Sequence, residues 1–381
     1  MKDFKPTLIL SSLLLASGAL AGVHQDNLQT LRSIPLVNGL EQRSAKNEAY
    51  ITSELKNIFR DIQQKAAKPD STLDRATHNK GTCFDADFTM LSRLELKENY
   101  NYSDKLINEL KQGIFSAEKN YPAQIRFANA KGDRNPDTTG DVRGIGLSLD
   151  LKGDSKDYSG ESRQDYSFNS TPMFAVNNIK EFHELMKTAA LASGNFGYIP
   201  NPFYLKSTLK ASKLLKQYER ADTKSFAQYE YWGNIPNTHG KNIAKMKLAP
   251  CDGKGSRFES SVGKAANFLQ QDIVKKAAAG EVCFLYQVQL FDHKKLIAHN
   301  HANWAPVDWI ENGGELWPEE VLPFHTIAKI EIKKNSPKVS CDGWYVNPRL
   351  HANPQNMPIG SISRVRAEVE EASRARRQGD L

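Results

Sequence analysis

Two stretches of this chain carry residue types that could do chemistry together. They are Arg75-Ala76-Thr77-His78 and Phe168-Asn169-Ser170-Thr171-Pro172-Met173-Phe174. Arg75 stands three residues before His78, and Asn169 follows about ninety residues later. An imidazole can take a proton from one substrate atom and return it to another. A side-chain amide beside it orients the substrate without adding charge. Such a pair suits a peroxide, where one proton must pass between two bonded oxygens. The competing reading of His78 is a structural histidine satisfied by its neighbours. If the pair is functional, His78 and Asn169 are expected on facing strands, converging on one buried, largely apolar cavity with Phe174 in its wall.

The elements that would position these residues follow from local pattern. Residues 44–66 place Ile51, Leu55, Ile58, Phe59 and Ile62 at helical spacing. Strand-like runs appear at Phe84–Leu96, Ala123–Asn129, Gly144–Leu151, Gln164–Asn169, Val282–Leu290 and Thr326–Ile332. Helical patterns fall at residues 178–192, 203–219 and 361–377. The stretches 130–142 and 233–241, rich in turn-forming residues, read as loops. Strands that succeed one another without regular intervening helices predict an antiparallel sheet or barrel with helices added, an α+β chain.

The 381 residues, 39% hydrophobic and 25% charged, fit a globular protein with a sizeable core. Lys2 and Lys5 precede the apolar run Leu8–Leu15, and Ala19-Leu20-Ala21 is a small-residue cleavage site. This is the pattern of a secretory signal peptide over residues 1–21, too short to span a bilayer comfortably. It implies a periplasmic or secreted protein without a membrane span, followed by a helical arm at 22–70 and a main domain at 71–381. Removal of the leader takes away Lys2, Asp3 and Lys5 and lowers the net charge from +7 to +6. Arg364, Arg366, Arg374, Arg376 and Arg377 are interleaved with Glu368, Glu370 and Glu371, which reads as a mixed-charge helix face and argues against a nucleic-acid partner. Cys83, Cys251, Cys283 and Cys341 match no zinc spacing; disulfides and buried thiols are both open.

From about residue 75 to 377 the chain resembles the catalase superfamily, and most closely its short bacterial members, the catalase-related peroxidases. The resemblance rests on RATHNKGTCFDADFTM at 75–90, on Tyr121–Phe127 with Asp137-Thr138 and Asp141–Gly144, and on FNSTPMF at 168–174. Tyr231-Trp232-Gly233-Asn234 and Met357–Arg364 continue it in the same order. It implies an antiparallel β-barrel wrapped by helices that binds heme b. It further implies a peroxide substrate and a small-molecule reductant. By position, His78 matches the distal acid/base and Asn169 the distal amide. Arg75 and Arg126 match arginines that face the haem propionates or support that wall, and Phe174 an aromatic beside the haem.

Two positions depart from the pattern. Ala128 stands where large catalases have a serine that orients the distal histidine. Arg366 stands where the family has the arginine that precedes its iron-binding tyrosine by four residues, and Glu370 stands in place of that tyrosine. A carboxylate has a reference pKa of about 4.3, so it is anionic without help and could bind iron, although it is shorter than tyrosine. An ordinary i, i+4 Glu–Arg pair on a solvated helix is the other reading. Three functions follow: an exported haem peroxidase or weak catalase, a haem-free barrel serving as a binding or structural protein, and a hydroperoxide isomerase.

Overall fold

The computed structural model describes residues 22–42, 47–65, 73–132, 134–192, 201–219, 225–253, 264–299, 303–334, 336, 343–379 and 381. The leader stretch 1–21 and Cys341 lie outside the described residues.

Eight antiparallel strands close into a barrel in sequence order. They are β1 (Gly81–Met90), β2 (Asn120–Asn129), β3 (Arg143–Asp150), β4 (Arg163–Asn169), β5 (Tyr231–His239), β6 (Asn242–Pro250), β7 (Cys283–Leu290) and β8 (Phe324–Ile332). β8 pairs with β1 and leaves no free edge. Inward-facing aromatics fill the barrel, with Phe88, Phe115, Tyr166 and Phe168 gathered around Tyr286. The closure is uneven. β3 and β4 pair along their length from Gly144↔Asn169 to Asp150↔Arg163, whereas β4 and β5 meet through the single pair Asn169↔Trp232.

Three expectations are corrected here. The first strand ends at Met90 and not at Leu96, because Ser92 and Glu95 form a capping box that starts helix α3 (Arg93–Tyr100). The stretch 233–241 is largely strand β5 and not a loop. Its Gly233, Asn234 and Pro236 read as turn residues, but the register shifts between Gly233 and Asn237, and such an irregularity tolerates a proline that cannot donate to the ladder. Third, the charged face of helix α10 (Ser361–Gln378) is not solvated. Arg364 is buried and bonds Glu41 at 2.6 Å and Glu48 at 2.7 Å, and Arg374 bonds the fully buried Glu371 at 2.6 Å.

α10 is covered by a helix at residues 22–33 (α1) and by α2 (Asn47–Lys65). His24 and Asn27 reach Glu371 from α1, while Ile51 and Leu55 of α2 share an apolar cluster with Val365 and Val369. Helix α5 (Ile179–Ala192) joins that cluster through Phe182, and α6 (Pro202–Tyr218) joins it through Ala211. No helix among the described residues is long and apolar enough to cross a membrane.

Cys251 and Cys283 form a disulfide between the end of β6 and the start of β7. Cys83 is also disulfide-bonded. The Cys251–Cys283 bond closes a loop spanning a sequence separation of 32, so its loss should cost about 3–4 kcal/mol of stability through the entropy of the unfolded chain. Urea unfolding of Cys251→Ala/Cys283→Ala beside the native chain checks this; equal midpoints would rule out that contribution.

Candidate functional site

The site forms where the chain enters β1, where β4 meets β5, and where α10 crosses beneath. His78 lies just before β1, not on a facing strand as expected. Its backbone is left-handed, with φ 59°, a conformation in which a non-glycine residue is strained. Two contacts hold it there. The His78 N–H donates to the Ala130 carbonyl at 3.1 Å, and Arg126 Nη2 donates to the His78 carbonyl at 2.6 Å.

The imidazole needs space that Gly144 leaves open. A Cβ at Gly144 would stand 2.8 Å from His78 Cε1, closer than side-chain carbons approach. Ala128 lines the same cavity as His78 and offers the imidazole no hydroxyl, and the Asn129 backbone beside the ring favours its charged form only weakly. Burial, with the positive charges of Arg126, Arg366 and Arg75, pushes the His78 pKa down to about 3. The ring is therefore neutral at physiological pH, and the same surroundings make it a weak base there.

That shift sets a sign for pH dependence. The unfolded chain protonates His78 near its ordinary 6.5, but the folded chain resists until about 3. Stability contributed by the neutral ring is present above 6.5 and is lost as pH falls toward 3. The urea midpoint of the hemin-free protein should therefore fall more steeply between pH 6.5 and 4 than that of His78→Gln. Parallel slopes would mean that the imidazole is solvated.

Asn169 ends β4 and is paired with Gly144 on one side and Trp232 on the other. Its Nδ2 donates to Asn234 Oδ1 at 3.0 Å, and Asn234 in turn donates to the Thr171 carbonyl at 2.6 Å. The chain of amides fixes the Asn169 side chain at the barrel seam.

His78 and Asn169 line one partly open cavity of about 150 Å³. α10 forms its opposite wall. Arg366, Glu370, Ser373 and Arg377 follow at helical spacing on one face and all line the cavity. Arg366 Nη2 donates to Glu370 Oε1 at 2.9 Å. The part of Glu370 that remains exposed borders the cavity, so burial raises its pKa while Arg366 opposes the shift. The pair is thus the i, i+4 bridge of the second reading, half-buried against the cavity and not on an open helix face.

Arg75, Arg126 and Arg377 cluster elsewhere on the cavity surface. Burial, and then the charges of its neighbours Arg75 and Arg377, hold Arg126 well below the usual guanidinium range. Arg377 is lowered to about 10 by burial and by Arg75. Among the described residues, Arg126 Nε and Arg377 Nε are buried without a hydrogen-bond partner. A cluster of this kind asks for an anion.

Phe174 is a correction. It does not line this cavity but packs against Phe182, with the Arg366 guanidinium 5.9 Å from its ring centre on the far side. The wall instead includes Phe59 of α2, Trp344 and Tyr345. Trp344 stacks over Gly146, where a Cβ would come within 3.0 Å of the indole, and its carbonyl accepts a hydrogen bond from Arg75. The Tyr345 hydroxyl is engaged by His351 Nε2 at 3.0 Å. Arg377 could have been found from its place eleven residues after Arg366, three helical turns along one face. Residues 344–345 carried no such signal.

A closed eight-stranded barrel with a cavity between its seam and a buried helix defines a recognisable architecture. No family model and no curated protein matches the chain. Among solved structures it is similar to a fungal catalase, with a TM-score of 0.59 and 13% identity over 91% of this chain and 67% of that one. It is also similar to a bacterial catalase, with a TM-score of 0.55 and 15% identity over 88% of this chain and 62% of that one. The chain thus spans less than two thirds of the bacterial catalase's length. Its fold is that of the catalases.

Proposed function

We propose that this protein is an exported, haem-dependent peroxidase of the short catalase-related type, acting on hydrogen peroxide or organic hydroperoxides with a small-molecule reductant. The observation that carries the reading is the pairing of His78 and Asn169 with Arg366 and Glu370 across one cavity. The residues fit heme b. Arg75, Arg126 and Arg377 offer buried positive charge to two propionates, and two of these guanidiniums have a nitrogen without a partner. Glu370 offers an oxygen ligand for iron, with Arg366 one turn away favouring its anionic form against the burial that opposes it. Bound there, haem supplies the redox chemistry of O–O cleavage.

The protein's own part is proton movement and orientation. His78, neutral across the working pH range, accepts the proton of one peroxide oxygen and returns it to the other as that oxygen leaves as water. Asn169, with one N–H spent on Asn234, orients the peroxide through its remaining amide groups. The disulfide between Cys251 and Cys283 supports an oxidising compartment and hence export.

One observation favours the haem-free reading, a binding or structural barrel. The Glu370 carboxylate already has a partner in Arg366. Hemin titration of the purified mature chain separates the two. A saturable Soret band at one equivalent supports the peroxidase, and no band would rule out both the peroxidase and the hydroperoxide isomerase. With hemin bound, product analysis distinguishes reduction of an organic hydroperoxide from its rearrangement.

A further inference from the structure

Helix α6 carries a surface that the barrel and its cavity do not use. Its sequence, PFYLKSTLKASKLLKQY, contains four lysines and no acidic residue. Thr208 and Ala211 face the body and are buried, and Tyr204 and Leu215 stand on the same side. On the outer side, Lys206, Lys210, Lys213 and Lys216 are all exposed. Among them stand three large apolar side chains in water: Phe203 is 89% exposed, Leu209 61% and Leu205 44%. Leu205 and Leu209 are one turn apart and form a row beside the lysines, with Phe203 at the helix start. Single exposed apolar residues are common, but three on one outer helix face, beside four lysines and no acidic residue of the helix, form an amphipathic surface turned away from the core.

We propose that α6 is a docking surface for an anionic phospholipid bilayer, on which the protein lies peripherally. Charge complementarity selects the partner. Lysines with flexible stems reach phosphate headgroups while apolar groups between them enter the acyl boundary. Phe203 projects almost fully from the helix start, a shape suited to insertion between headgroups. The absence of acidic residues within α6 means that no part of the helix repels an anionic surface. The inference stands apart from the haem reading and would hold for a haem-free barrel.

Vesicle co-sedimentation of the full mature chain tests it, using phosphatidylcholine with and without phosphatidylglycerol. Binding to the anionic vesicles alone, weakening with salt, is expected. Each lysine near an anionic surface is worth about fivefold in affinity, so Lys206→Gln/Lys210→Gln/Lys213→Gln should lose about a hundredfold. The exposed control Lys105→Gln/Lys275→Gln/Lys294→Gln has the same net charge and should lose little. Phe203→Ser and Leu209→Ser should each lose about tenfold, with thermal midpoints unchanged. Equal binding to both vesicle types, an equal loss in the control, or full binding by the apolar variants overturns the proposal. So does self-association through α6 in place of vesicle binding.

Discussion

His78→Ala is expected to lower peroxide turnover by about 10²–10⁴-fold, the usual weight of a positioned acid/base group, while hemin content stays the same. The imidazole is half-buried and neutral, and it is the only histidine among the described residues that line the cavity. Its neighbour Asn169 accepts or donates hydrogen bonds but does not titrate. Arg126, Arg75 and Arg377 remain to hold the proposed haem, which is why binding and turnover should separate. Stopped-flow kinetics with hydrogen peroxide, beside a hemin titration of the same variant, gives both quantities. Turnover unchanged in the variant would remove His78 from the mechanism.

The second large effect is expected at Glu370. Glu370→Ala should lose hemin or leave a spectrum of water-ligated iron, because no other carboxylate lines that cavity among the described residues. Arg366→Ala, acting on the metal through Glu370, should cost about 10–100-fold in hemin affinity, as loss of a ligand's supporting partner usually does. Glu370→Tyr should bind hemin with a tyrosinate spectrum, since Arg366 already stands where it stabilises a phenolate. In the haem-free alternative, Glu370→Ala leaves Arg366 on the cavity without its carboxylate, and the change reads only as lost stability. Spectra that do not differ among the three hemin-loaded proteins would falsify the assignment of Glu370 to the iron.

Much of the barrel could be read from local pattern because β2, β3, β4, β7 and β8 alternate or run apolar between clear breaks. β5 and β6 could not. Gly233, Asn234 and Pro236 imitate a turn, and Lys245 and Lys247 place charge where a strand's second face should be apolar. Tertiary packing overrides both signals, as Lys245 donates to the Glu315 carbonyl and lies against Trp317. For α10, local pattern gave the helix but not its burial. Its charges pair with Glu41 and Glu48, more than three hundred residues away in sequence, which no spacing reveals. The cavity brings together His78, Asn169, Arg75, Arg126, Arg366 and Glu370, all singled out by motif. Phe174 was misplaced because a motif fixes order along a strand end but not which side of α10 the ring will face.

The thin rung between β4 and β5 gives the barrel a preferred place to breathe. Separating most neighbouring strands means breaking a ladder several residues long, but here one residue pair, Asn169↔Trp232, joins the two. A second, small hollow of about 30 Å³ lies along the seam and shares Ser167, Asn169, Arg366 and Glu370 with the main cavity. Transient parting at this rung would connect the two spaces without loosening the aromatic interior. Access to the proposed haem site would then depend on this one joint and leave the rest of the scaffold rigid.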